Sequence, residues 1–116
     1  MYVRQNGTQF NRDNVMFSVI KKFIRDDVAT LFYFECHEPS DNYKLHVKTK
    51  YRDTNKLISV GTSMSEDLKV FTATMVFNTK DDFLDFMLDD TLYMEHNRNN
   101  HLYNLKNNIR IETSLG

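Results

Sequence analysis

Apolar and polar positions along the chain change period several times, and each change marks a candidate element. Between Asp13 and Arg25 the apolar residues Val15, Met16, Phe17, Val19, Ile20, Phe23 and Ile24 gather on one side of a helical wheel. Asn14, Ser18, Lys21, Lys22 and Arg25 take the other side. The spacing predicts an amphipathic N-terminal helix capped by Asn11 or Asp13, with its cations near the C-terminal end, where the helix dipole favours them. Residues 1–11 have no period and read as a short arm or an edge strand.

From Val28 to Cys36 the run VATLFYFEC is apolar, β-branched or aromatic almost throughout, as in a strand covered on both faces. Pro39 and the polar residues 37–42 then predict a turn. Tyr43, Leu45, Val47, Thr49 and Tyr51 alternate with Lys44, His46, Lys48, Lys50 and Arg52, the period of a half-buried strand. Leu57–Thr62 and Lys69–Phe77 predict two further strands joined as hairpins. KDDFLDFMLDD returns to a helical period, with Thr79 as its cap and early aspartates suited to the positive helix end. Residues 91–107 predict a second helix, whole or broken in its polar middle, and Ile109–Thr113 a short closing strand.

These elements imply one α+β domain over residues 1–116, with an antiparallel meander of four to five strands. The N-terminal helix and the C-terminal helical region would pack on the sheet. In 69–77 neither face is strongly polar: Phe71, Ala73, Met75 and Phe77 oppose Val70, Thr72, Thr74 and Val76. The sheet is therefore expected to be covered on both sides, by helices on one and by a second subunit on the other.

Composition narrows the class. With nine Phe, six Tyr and no Trp, flat rings must fill much of the core. A single cysteine excludes an intramolecular disulfide, and no apolar run is long enough for a membrane span. The expectation is a reducing, cytoplasmic location with no membrane association. A net charge of −1 gives no global attraction to nucleic acid.

Charge is nevertheless patterned locally. Asp81, Asp82, Asp85 and Asp89 fall on one helical arc, and residues 65–96 hold eight acids against two bases. This face is the first candidate contact, for a protein partner with a basic surface. Lys44, His46, Lys48, Lys50 and Arg52, with Lys56 in the following turn, form the opposite candidate, a row of cations able to track a nucleic-acid backbone. His96 and His101 are five residues apart, which does not put both on one helix face as metal ligation requires, and His37 and His46 are elsewhere. Cys36 beside His37 on a strand would point away from it, as a buried structural cysteine. The three glycines, at 7, 61 and 116, form no phosphate loop, and no catalytic set, metal site or cofactor site is read.

MVFNTKDDFLDFMLDD followed by HLYNLKNNIRIE resembles the strand, helix and return strand of dimeric ferredoxin-like domains of the antibiotic-biosynthesis-monooxygenase-like group. The short length and the twelve asparagines are similar to those of small accessory proteins of large tailed bacteriophages. The acidic face and the doubly apolar strands lead to the expectation of a non-enzymatic, homodimeric interaction protein that regulates or inhibits a protein partner through that face, and the phage resemblance implies that it acts in the host cytoplasm. The alternatives are a nucleic-acid-binding module using residues 44–52, and a small ligand-binding or monooxygenase-like enzyme.

Overall fold

The computed structural model describes residues 16–89 and 92–116. They form an α+β fold in one antiparallel sheet with helices on one of its faces. The elements run β1 (Phe17–Ile24), α1 (Tyr33–Cys36), α2 (Asp41–Val47) continued by a π-helical turn (Lys48–Arg52), and β2 (Leu57–Met64). Then follow β3 (Val70–Phe77), α3 (Lys80–Met87), α4 (Leu92–Lys106) and β4 (Arg110–Leu115). The strand order is β2-β3-β1-β4, every neighbour antiparallel. Among the described residues only β2 and β3 are joined as a hairpin; β1 and β3 are central, and the connectivity is that of a split β-α-β sheet, not of a meander.

Three expectations are corrected. The segment within 13–25 is not a helix: Phe17–Ile24 is the central strand β1. Its apolar set also satisfies a period of two, with Phe17, Val19 and Phe23 opposite Phe77, Met75 and Phe71 on the inner face. The proposed caps Asn11 and Asp13 and the arm 1–11 lie outside the described residues. The run 28–36 is not a strand but a loop ending in α1. Tyr43–Arg52 is not a strand either. Ser40 accepts the Tyr43 amide as an N-cap and starts a helix that carries through the basic row. Positions 43, 47 and 51 suit both periods, and in the helix all three turn inward.

The remaining elements lie where the pattern puts them. Thr79 caps α3 by accepting the Asp82 amide at 3.0 Å, the second helical segment is one helix, Leu92–Lys106, and the closing strand is β4.

The core is aromatic. Val19, Tyr51, Leu57, Phe77, Phe83 and Phe86 are buried together, and Phe86 meets Tyr51 edge-on at 4.8 Å. Tilted and edge-on contacts set the positive ring edge against the negative face, worth about 1 kcal/mol each beyond burial.

A polar knot closes the other end of the sheet. Arg25 is 4% exposed and stacks over Phe32 at 4.1 Å. It donates from Nε to the Leu68 carbonyl (2.9 Å), and from Nη1 to the Thr30 carbonyl (2.8 Å) and Glu35 Oε1 (2.8 Å). The same Glu35 oxygen accepts the Phe32 amide at 2.7 Å. One guanidinium thus ties β1 to the loop before α1 and to the β2–β3 turn. Arg25→Ala should cost about 3 kcal/mol in a urea titration, because it leaves Glu35 and two carbonyls without their donor. A loss below about 1 kcal/mol would mean that water replaces the guanidinium.

Candidate functional site

The helical period re-sorts the basic row. At 100° per residue, Lys44, Lys48 and Arg52 share one side of the α2–π segment, while His46 and Lys50 share another. The five cationic positions are therefore not one continuous track.

His46, half-buried, and Lys50, exposed, both reach the buried Asp89. His46 Nε2 lies 2.7 Å and Lys50 Nζ 3.2 Å from Asp89 Oδ2, and the Tyr51 hydroxyl donates to the same oxygen at 2.5 Å. The π turn makes this possible. Its wider winding, seen in the Asp53 amide bonding to the Lys48 carbonyl five residues back at 2.8 Å, brings Tyr51 beside the i, i+4 pair His46 and Lys50. Burial, the hydrogen bond to Asp89 and the Asp89 and Asp85 charges all push the Tyr51 phenol above its usual range, so it stays a donor. With three donors on one carboxylate oxygen, the cluster reads as a closed polar lock between α2 and the end of α3.

The expected acidic face is correspondingly altered. Asp89 is 5% exposed and lies beyond Leu88, the residue that ends α3, so it does not continue the helical row. Asp85 pairs with Lys56 at 2.9 Å, a contact that holds the Lys56 ammonium above its ordinary range. Asp81 and Asp82 stand in the first turn of α3, Asp81 fully on the surface and Asp82 half-buried.

The other cations border a groove of about 740 Å³ between the α2–π segment and β2. Lys44, Lys48 and Arg52 line one side, and Val47, Val60 and Met75 give it an apolar floor. Lys48 pairs with Asp53 at 3.0 Å. Lys44 and Arg52 have no ion-pair partner among the described residues.

Cys36 is exposed, on α1, contrary to the expectation of a buried strand cysteine. Because residues 33–36 are helical, its Sγ swings to 3.1 Å from His37 Nδ1 and donates to the Tyr103 hydroxyl at 3.4 Å. That hydroxyl donates onward to the Leu31 carbonyl at 2.7 Å. The Cys36 hydrogen bond leads the causes that push the Tyr103 phenol up to about 12. The Phe32 and Tyr33 carbonyls lie 3.6 Å from the sulfur. The sulfur donates as a thiol to the Tyr103 hydroxyl, with the His37 ring beside it.

Two residues acquire surroundings that periodicity did not indicate. Lys21, expected on the solvent side of a helix, lies on the inner face of β1, and burial holds its ammonium below the ordinary range. It floors a 260 Å³ hollow with Asn97, Asn100 and His101. His96 is stacked on Tyr43 at 4.5 Å and edge-on to Tyr33, and desolvation holds its imidazole below the usual range. Among the described residues, no three His, Cys, Asp or Glu side chains are placed to hold a metal, and no helix is long and apolar enough to cross a membrane. Compared with protein-family models, curated proteins and solved structures, the chain has no match in any of the three.

If the Asp89 cluster is a lock, Asp89→Ala should cost about 3 kcal/mol by urea denaturation. Adding Tyr51→Phe should recover about 1 kcal/mol, because the stranded hydroxyl goes with it. No recovery would show that Asp89 acts other than through Tyr51. His96 sets a separate pH dependence. Its folded-state pKa is depressed, so its contribution is complete above the unfolded value of about 6.5 and is lost as pH falls through it. The urea midpoint should therefore drop between about pH 7 and pH 5.5, and His96→Asn should flatten that slope. An identical slope in the variant would assign the effect to other groups.

Proposed function

We propose that this is a non-enzymatic interaction protein that works as a homodimer formed through the outer face of its sheet. The observation that carries the reading is that face itself. Ile20, Ile24, Val70, Thr72, Thr74 and Val76 lie across the central strands, and among the described residues every aromatic contact between helix and sheet is made on the other side. The charges on this face are Lys22, on central strand β1 and opposite Glu112, and Arg110 near the end of β4.

A second copy suits this pattern. An isologous contact places one patch on itself, so unbalanced charge would repel its own image; here Glu112 stands beside Lys22, and the remaining band across the central strands is Thr, Val and Ile. Four strands of this length cover about 500 Å² in plan. Side-chain relief brings that toward the roughly 800 Å² that a stable dimer buries per partner. The polar clusters favour association over catalysis, since Asp89 and Arg25 are engaged in holding elements together.

Light scattering at micromolar concentration should give a mass near twice 13.8 kDa. Thr74→Arg, at the centre of the face between Ile20 and Gly61, should give a folded monomer with an unchanged far-ultraviolet spectrum. A monomeric parent protein would remove the proposal, as would a Thr74→Arg variant that remains dimeric.

A further inference from the structure

The two edges of the sheet are treated differently. β4, RIETSL, carries Arg110 and Glu112, the usual protection of an edge against unwanted pairing. β2, LISVGTSM, is the other edge; its register shifts at Ile58, beyond which Ser59–Met64 pair regularly with β3, and its eight residues hold neither a charge nor a proline. Ile58 and Val60 are exposed on it. An uncharged edge of that length is a template for another strand, because its outward amides and carbonyls have no partner strand among the described residues.

Beside this edge runs the groove already described. A strand added to β2 would turn alternate side chains toward it, and the same wall presents Lys44, Lys48 and Arg52 against the single carboxylate of Asp53. The apolar floor accepts aliphatic side chains, and Lys44 and Arg52 are available to carboxylates.

We infer that β2 captures an extended, acidic peptide segment of a partner protein by strand addition, with its carboxylates on Lys44 and Arg52 and its aliphatic side chains over Val47 and Val60. This rests on reading the protein as an interaction module but not on dimerisation, which uses the opposite face of the sheet. The helical sorting of the basic row decides the class of partner. Three cations beside an apolar floor suit an amphipathic anion, whereas a nucleic-acid strand needs a longer track of cations and stacking rings.

The test is fluorescence anisotropy of the full chain with a labelled, end-capped Glu–Val peptide of repeat Glu-Thr-Val-Thr, which sets Glu and Val in turn on the one strand face that meets the groove. Binding at micromolar concentration is expected, with loss of about tenfold or more in affinity for the Lys44→Glu/Arg52→Glu variant. The two residues are exposed, and an unchanged melting curve checks that the variant folds. A Lys–Val peptide and a Glu–Val peptide N-methylated along one edge should both fail to bind. Equal binding of the Lys–Val peptide would overturn the charge argument, and equal binding of the N-methylated peptide would overturn strand addition. Capture of decanoate or of oligo-dT at this groove, with the Glu–Val peptide inert, would replace the inference with a small anion or a nucleic acid. Light scattering on the same variant should show an unchanged mass, so failure here leaves the dimer reading standing, and a monomeric parent that still binds the peptide separates the two the other way.

Discussion

Tyr51 carries its hydroxyl into an aromatic core with no exposure to solvent, and the Asp89 carboxylate is what lets it stay there. A buried phenol without an acceptor would cost on the order of 1–3 kcal/mol, and a buried carboxylate without donors would cost more. Each group therefore makes the other tolerable. The contact fixes the π turn, because only the wider winding delivers Tyr51 to the core while His46 and Lys50 reach the same oxygen. It fixes the end of α3 as well, since Asp89 must leave the helix after Leu88 to face inward. The groove along β2 follows, because the position of the π turn sets how far Lys44, Lys48 and Arg52 stand from the edge strand.

The sequence shows most clearly those elements whose period has one solution. β2 and β3 are short runs rich in β-branched residues between turns, α3 has a cap and a helical stripe, and β4 follows an asparagine-rich turn in which Asn108 takes the left-handed conformation at φ 59°. The elements that mislead are those that fit two periods. Four is a multiple of two, so Tyr43, Val47 and Tyr51 line one face of a strand and also one face of a helix. Leu45 and Thr49 distinguish the cases, and both are exposed. The Ser40 cap is the local signal that favours the helix. In β1 both faces bear apolar residues because a central strand is contacted on each side, and a strand apolar on both faces imitates a helix stripe over eight residues. The run 28–36 is apolar without being extended, since Phe32 and Phe34 fold back onto Phe71 and Arg25.

The candidate site was legible in its parts and not in its grouping. Lys44, Lys48 and Arg52 stand out in the sequence as cations, and Asp85 and Asp89 as acids. Their division into a lock, a surface ion pair and a groove wall depends on helix phase and on where α3 stops. Those are tertiary outcomes, set by the burial of Tyr51 and Phe86. Lys21 shows the same dependence: its neighbours in sequence give no reason to desolvate it, and its place on the inner face does.

The two clamps, at Asp89 and at Arg25, stand at opposite ends of the inner face, and the space between them is unequally filled. Over β3 the rings of Phe77, Phe83 and Phe86 close it. Over β4 they do not: all six residues of that strand are exposed, and the hollow above Lys21 lies between it and α4. The Arg25 clamp also holds Leu68 at φ 64°, a left-handed conformation that costs a leucine about 1 kcal/mol and that glycine would adopt freely. That cost is borne where the Leu68 carbonyl meets the guanidinium, in a turn whose own Ser65 and Asp67 accept the Leu68, Lys69 and Val70 amides. The helical layer is thus pinned firmly on the β2–β3 side and lightly on the β4 side. A rigid wall beside β2 keeps the groove preformed, which is the condition under which an added strand loses least ordering entropy on binding.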